Sequence, residues 1–345
     1  MLTANQIFAV DGETYGWCEV VVAAARNGAW ADAERRARIG AAADAHAAAT
    51  NDPFAPRVLD AAAREFRYAR DLVSADSMER WLASRNVSLK EWSAYLRRSL
   101  NSARFAGEAG ALLQRYPIGA DEAARVTLSN IVCSGELGEW KQSLASRVAA
   151  AGSLGWSLTA SDAEETSFPD ILFPALPLLG VTIDDIRAAV RRLQNLDDAF
   201  ERFRTSQITD AMVGEYVGRR RLDWVQFDCG MMAFPVEDMA AEAALLLRED
   251  GMELTGVYDV ASVEPREARF WLEDIPAETR SEFLAAQTGD LLGPMRIGDE
   301  YALYLIREKT LPSARDPEVR RRAEEGVLRH ALRHQLDHRV HWLAD

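Results

Sequence analysis

Three cysteines in 345 residues, Cys18, Cys133 and Cys229, are too few and too far apart for a disulfide framework. No C-x-x-C pair offers a structural zinc site. They read as small buried hydrophobes. Apolar runs of the ~18 residues that a membrane span needs are missing too. The opening residues, MLTANQIFAVDGETYGWCEV, lack the basic start and apolar centre of a secretory signal, so the expected location is cytoplasmic. Positive charge is in the minority. Forty Lys and Arg against 54 Asp and Glu leave a net charge of -14, which repels nucleic acid and anionic lipid. Histidine is absent between His46 and His330, which excludes a Ser–His or Cys–His nucleophile in the middle of the chain. No Walker loop, dinucleotide fingerprint, G-x-S-x-G or H-E-x-x-H occurs, so no cofactor is implied.

What is present is mostly helix. Residues 12–115 read as helices, with alanine dense in AWADAERRARIGAAADAHAAAT. In PRVLDAAAREFRYARDLV, the residues Val58, Leu59, Ala62, Phe66 and Ala69 share one face at helical spacing. Ser74 suits an N-cap, Asn86 an ending, and Ser88 with Glu91 a capping box. Helices continue over 120–152. An irregular segment over 153–180 carries Pro169, Pro174 and Pro177. Thr182 and Thr209 cap the next helices. Strand signals begin only after residue 222. DWVQFDCGMMAF alternates, VEDMAAEAALLLREDG is a helix closed by Gly251, and VYDVASV and EARFWLEDI read as short strands or turns. PAETRSEFLAAQTGD is a helix, TGDLLGPMRIGDEYALYLIREK a hairpin, and DPEVRRRAEEGVLRHALRHQLDHRVHWL a long helix capped by Asp316.

The expected fold class is therefore α+β. A helical domain covers 1–221, a small α+β domain 222–312, and a C-terminal helix, 313–345, packs back on the helical domain. His330, His334, His338 and His341 fall along one face of that last helix. An i, i+4 His pair can chelate a transition metal, but a solvated face explains the pattern without one, and no metal is assigned. Trp81 and Trp92 sit on helix stripes and read as core.

EDMAAEAALLLREDGMEL followed by IPAETRSEFLAAQTGDLLGPMRIGDEYALYLIREKTLP resembles the parvulin-type peptidyl-prolyl isomerase domain. In that family a helix ends in a Gly-acid pair, followed by Gly-Pro, a short strand, a turn and the closing strand. Gly289, Asp290, Gly293 and Pro294 stand in those places. SMERWLASRNVSLKEWSAYLRRSL and ITDAMVGEYVGRRRLDWVQFD resemble the helical part of SurA- and PpiC-type chaperones. The chain is also similar to PpiC-related proteins associated with the maturation of ribosomally made, modified peptides.

The resemblance implies a large SurA-like helical part, a small parvulin-like domain and a peptide or precursor polypeptide as ligand. Peptide-modifying enzymes are further implied partners, with neither nucleic acid nor membrane among them. Active parvulins carry a His on the first strand and another at the start of the last. Here Ala302 stands at the second place and no His at the first. The resemblance therefore implies peptide holding without turnover. The expected groove is formed by Phe227, Met231, Phe270, Trp271, Phe283, Met295, Tyr301 and Tyr304, with no catalytic residue. Two alternatives stay open. One is an active isomerase with a rewired pocket at Asp228 or Cys229. The other is a structural subunit of a peptide-modifying complex.

Overall fold

The computed structural model describes residues 6–157, 170–249 and 252–343, with residues 258–261 described by backbone alone. The fold is mixed α+β with two antiparallel sheets. In chain order the elements of the first part are β1 (Gln6–Val10), β2 (Glu13–Gly16), α1 (Trp17–Arg26), α2 (Ala29–Ala49), α3 (Pro56–Tyr68), α4 (Ala75–Ser84), α5 (Leu89–Arg104), α6 (Ala109–Arg115), α7 (Ala120–Ser134), α8 (Glu136–Gly152), α9 (Leu176–Leu179), α10 (Ile183–Arg192) and α11 (Leu196–Gln207). Then follow α12 (Asp210–Arg219), β3 (Gln226–Phe234), α13 (Glu237–Arg248), α14 (Leu254–Ala261), β4 (Arg266–Trp271), α15 (Arg280–Ala285), β5 (Leu291–Ile297), β6 (Glu300–Thr310), α16 (Pro317–Arg339) and β7 (Val340–Trp342).

The chain divides into two compact units. The larger comprises residues 1–203 with 332–345, and the smaller residues 204–331. The division falls at residue 203/204 and again within the last helix, at 331/332.

In the larger unit the caps read from sequence are formed. Ser74 Oγ accepts from Ser77 N at 3.0 Å, Ser88 Oγ from Glu91 N at 3.2 Å, and Thr182 Oγ1 from Asp185 N at 3.2 Å. Asn86 ends the turn after α4 at φ 51°. Trp92 is buried against Phe66 in the core shared by α3, α4 and α5. The start of the chain corrects the all-helical expectation. Residues 6–16 form a hairpin, with Asp11 at φ 52° and Gly12 at φ 88°. Two successive positive φ values are what a tight type I′ connection requires, and Asp-Gly supplies them at least cost. Strand β7 then adds to β1, giving the order β2-β1-β7, so residues 340–342 leave the helix to become strand. Phe8 stacks on Tyr15 at 4.9 Å and meets Trp342 edge-on at 5.9 Å. Arg339 pairs with Asp11 in the turn. The irregular segment expected over 153–180 is part helix, at α9; its residues 158–169 lie outside the described residues. No described helix is long and apolar enough to cross a membrane.

The smaller unit holds a four-stranded sheet of order β4-β3-β6-β5. The run VYDVASV, expected as strand or turn, begins within α14 instead. Val257 and Leu254 pack on Met232, Phe234 and Leu303, and a helical turn places both on that one face. Gly251, read as the end of the preceding helix, lies outside the described residues. Helices α13 and α14 cover one face of the sheet and α15 the other. Thr209 caps α12 and Asp316 caps α16, the latter accepting from Glu318 N at 2.8 Å and Val319 N at 3.1 Å. Val319 and Ala323 of α16 pack with Val213 and Val217 of α12 around Trp224 and Trp271.

Candidate functional site

Period-two alternation decides what each strand sends to each face. Phe227, Cys229 and Met231 of β3 point to the α15 side, as do Ala302, Tyr304 and Ile306 of β6, Met295 of β5 and Phe270 of β4. Phe283 of α15 closes on them. Its ring lies 5.4 Å from Phe227, 5.6 Å from Phe270 and 5.4 Å from Tyr304. Edge-to-face aromatic pairs at these spacings contribute about 0.5–1.5 kcal/mol each beyond their burial.

Six of the eight expected groove residues therefore converge: Phe227, Met231, Phe270, Phe283, Met295 and Tyr304. Trp271 and Tyr301 do not join them. Trp271 belongs to the α12–α16 cluster, where the Arg322 guanidinium lies 5.1 Å from its ring. Tyr301 faces the α13–α14 side. The convergence also corrects the expectation of an open groove. Phe227, Phe283, Met295 and Tyr304 are buried against one another, and their rings fill the space beneath α15. Met231 and Phe270 stay half-buried and form the accessible margin of the cluster. Mutual burial of large apolar rings is the more stable arrangement when no polar network holds them apart.

Ala302 is 1% exposed and faces Ala233 on one side and Met295 on the other. It is a packing residue of the cluster beneath α15. Neither alternative catalytic residue is poised for chemistry. Asp228 points to the opposite side from Cys229 and takes two hydrogen bonds from Arg269, at 2.6 and 3.0 Å. Burial, and then the neighbouring Asp228 carboxylate, push the Cys229 thiol up to about 12. At pH 8 that leaves roughly one thiol in ten thousand ionised. Cys229 is accordingly expected to resist iodoacetamide at pH 8 in the native protein and to react once denaturant is added. Mass spectrometry of the alkylated peptides checks this, and rapid native labelling would contradict the packing described.

The two edges of the sheet differ. Strand β5 is bulged between Leu292 and Met295, and its outer carbonyls at Leu291 and Gly293 accept from Arg248 Nη2 at 3.2 and 2.9 Å. Among the described residues no strand pairs with the outer side of β4. Strand β4 runs Arg266, Glu267, Ala268, Arg269 and Phe270, mostly exposed, and ends at buried Trp271. Phe270 and Met231 flank this edge on the α15 side. The edge was not singled out from the sequence. Its signal was the weak alternation of EARFW, which local patterning does not separate from a turn.

His330, His334 and His338 are exposed on α16, whereas His341, also exposed, lies in β7 and not on the helix face expected for all four. His334 and His338 stack at 4.1 Å, and His338 Nδ1 lies 2.8 Å from the His334 carbonyl oxygen. No group of three or more His, Cys, Asp or Glu suited to a metal ion occurs among the described residues. No protein-family model matches the chain, and no curated protein matches it in sequence.

Proposed function

We propose that the protein is a chaperone-like holder of extended polypeptide, acting without turnover through the open edge of β4. The single observation that carries this reading is that edge, which borders the half-buried Phe270 and Met231. An added peptide strand gains main-chain hydrogen bonds from the edge, and every second side chain gains an apolar surface. Arg269 and Arg307, paired with Asp228 and Glu267 on the opposite face, would tolerate polar residues at the alternate positions. The succession β3, α13, α14, β4, α15, β5, β6 supports a parvulin-like reading, since it keeps the helix, Gly-acid pair, Gly-Pro and closing hairpin that carry the resemblance. The lack of histidine from 47 to 329, together with the protonated Cys229 and paired Asp228, supports holding over isomerisation.

The test is fluorescence anisotropy with a labelled decapeptide that alternates apolar and polar residues. Saturable binding is expected, weakened about tenfold by Phe270→Ser, equivalent to about 1.4 kcal/mol. Hydrogen exchange of the β4 amides should slow on binding. Binding that leaves β4 exchange unchanged would overturn the edge as the site. Measurable acceleration of prolyl isomerisation in a protease-coupled assay would overturn holding without turnover.

A further inference from the structure

The larger unit contains a cleft of about 370 Å³ framed by α2, α5 and α7, with Arg36, Arg98, Ser99, Ser102, Asn130 and Glu136 on its walls. That volume is within the range of small-molecule sites. The charges around it are unevenly satisfied. Arg36 Nη2 is held by Glu136 at 2.5 Å, so that pair is neutral. Asp44, the carboxylate whose charge acts on Arg98, takes two hydrogen bonds from Arg97, at 2.7 and 2.9 Å, and one from Asn101 at 3.0 Å. Arg70 donates to the Ser134 carbonyl at 2.9 Å.

Arg98 is left without a carboxylate. Its hydrogen bond goes from Nη2 to a neutral oxygen, Asn130 Oδ1, at 2.8 Å. Its Nε is buried and has no partner among the described residues. Burial pulls its pKa below the usual arginine value, against the pull of Asp44. A guanidinium presents five donors in a planar fork, and leaving such donors unmatched in a desolvated place is costly. Ser99 and Ser102 bring two hydroxyls to the same cleft, while Ala33 and Ile131 supply apolar wall.

We propose that this cleft binds a small organic carboxylate, with Arg98 as the recognition group. One unmatched positive charge beside a neutral Arg36–Glu136 pair calls for a monoanion. A phosphate dianion would leave excess negative charge next to Glu136. With the Nε edge buried, the fork meets a carboxylate through two parallel hydrogen bonds from its Nη end, which a lysine cannot reproduce. The apolar wall takes the body of the molecule. The inference is independent of peptide holding at β4, which uses residues of the other unit.

Isothermal titration with benzoate, acetate and inorganic phosphate tests it. Benzoate is expected to bind with a Kd on the order of 1 mM, acetate more weakly for want of an apolar body, and phosphate weakest. Arg98→Lys should weaken benzoate about tenfold. Asn130→Asp supplies Arg98 with a built-in carboxylate and should abolish benzoate binding. The fold should survive that change, as circular dichroism and thermal unfolding will report. Benzoate binding undiminished by Asn130→Asp, phosphate binding more tightly than benzoate, or no saturable benzoate binding to the unaltered protein would each overturn the proposal.

Discussion

Phe283→Ala is expected to lower the stability of the smaller unit by about 3–5 kcal/mol. The ring is 1% exposed, touches Phe227, Phe270 and Tyr304, and is the main plug between α15 and the sheet. Its removal costs the transfer energy of the ring, the aromatic pairings and the cavity left behind. Urea unfolding followed by near-ultraviolet circular dichroism reads the loss, and hydrogen exchange localises it to residues 204–331. A change below about 1 kcal/mol would mean that the site collapses freely, as a loosely filled groove would. The experiment therefore also separates a packed face from an open one.

The second large effect belongs to Gly293. Its φ is 101°, and a Cβ built there would sit 2.5 Å from the Ala302 carbonyl oxygen. The obstacle is main chain on the neighbouring strand and cannot swing aside like a side-chain end. Gly293→Ala combines a strained backbone conformation with overpacking, each about 1–3 kcal/mol, for an expected loss of roughly 2–5 kcal/mol. Strand β5 should lose protection first, because its bulge is centred on this residue. Thermal unfolding and amide exchange of residues 291–297 check this. An unchanged melting temperature would show that the strand re-registers without cost.

How much was legible depended on the range of the interaction. The helix caps at Ser74, Ser88, Thr182, Thr209 and Asp316 were readable because each is a contact within three residues. The alternation of DWVQFDCGMMAF gave the central strand and its two faces. The hairpin at 6–16 was missed although Asp11-Gly12 is a strong local turn signal, because the helix-rich sequence that follows dominated the reading. The run VYDVASV is rich in β-branched residues, and the burial of Leu254 and Val257 overrides that preference.

The aromatic residues of the smaller unit could be found by composition. Whether they line a cleft or fill it depends on the distance between α15 and the sheet, which no local pattern encodes. Trp271 and Tyr301 show the same limit. Each is adjacent in sequence to a residue of the cluster, and period-two geometry sends each to a different neighbour. The cleft at Arg98 was invisible to sequence because its walls come from helices whose cleft-lining residues span positions 33 to 136.

Pairing between β1 and β7 has a consequence for biosynthesis. During vectorial synthesis the Gln6–Gly16 hairpin leaves the ribosome well before its partner, and the outer side of β1 stays unmatched until residues 340–342 follow more than three hundred residues later. The smaller unit, contiguous from 204 to 331, has its whole sequence available earlier. Closure of the three-stranded sheet thus waits until residues 340–342 have been made, with a nascent strand edge to be kept from premature partners until then.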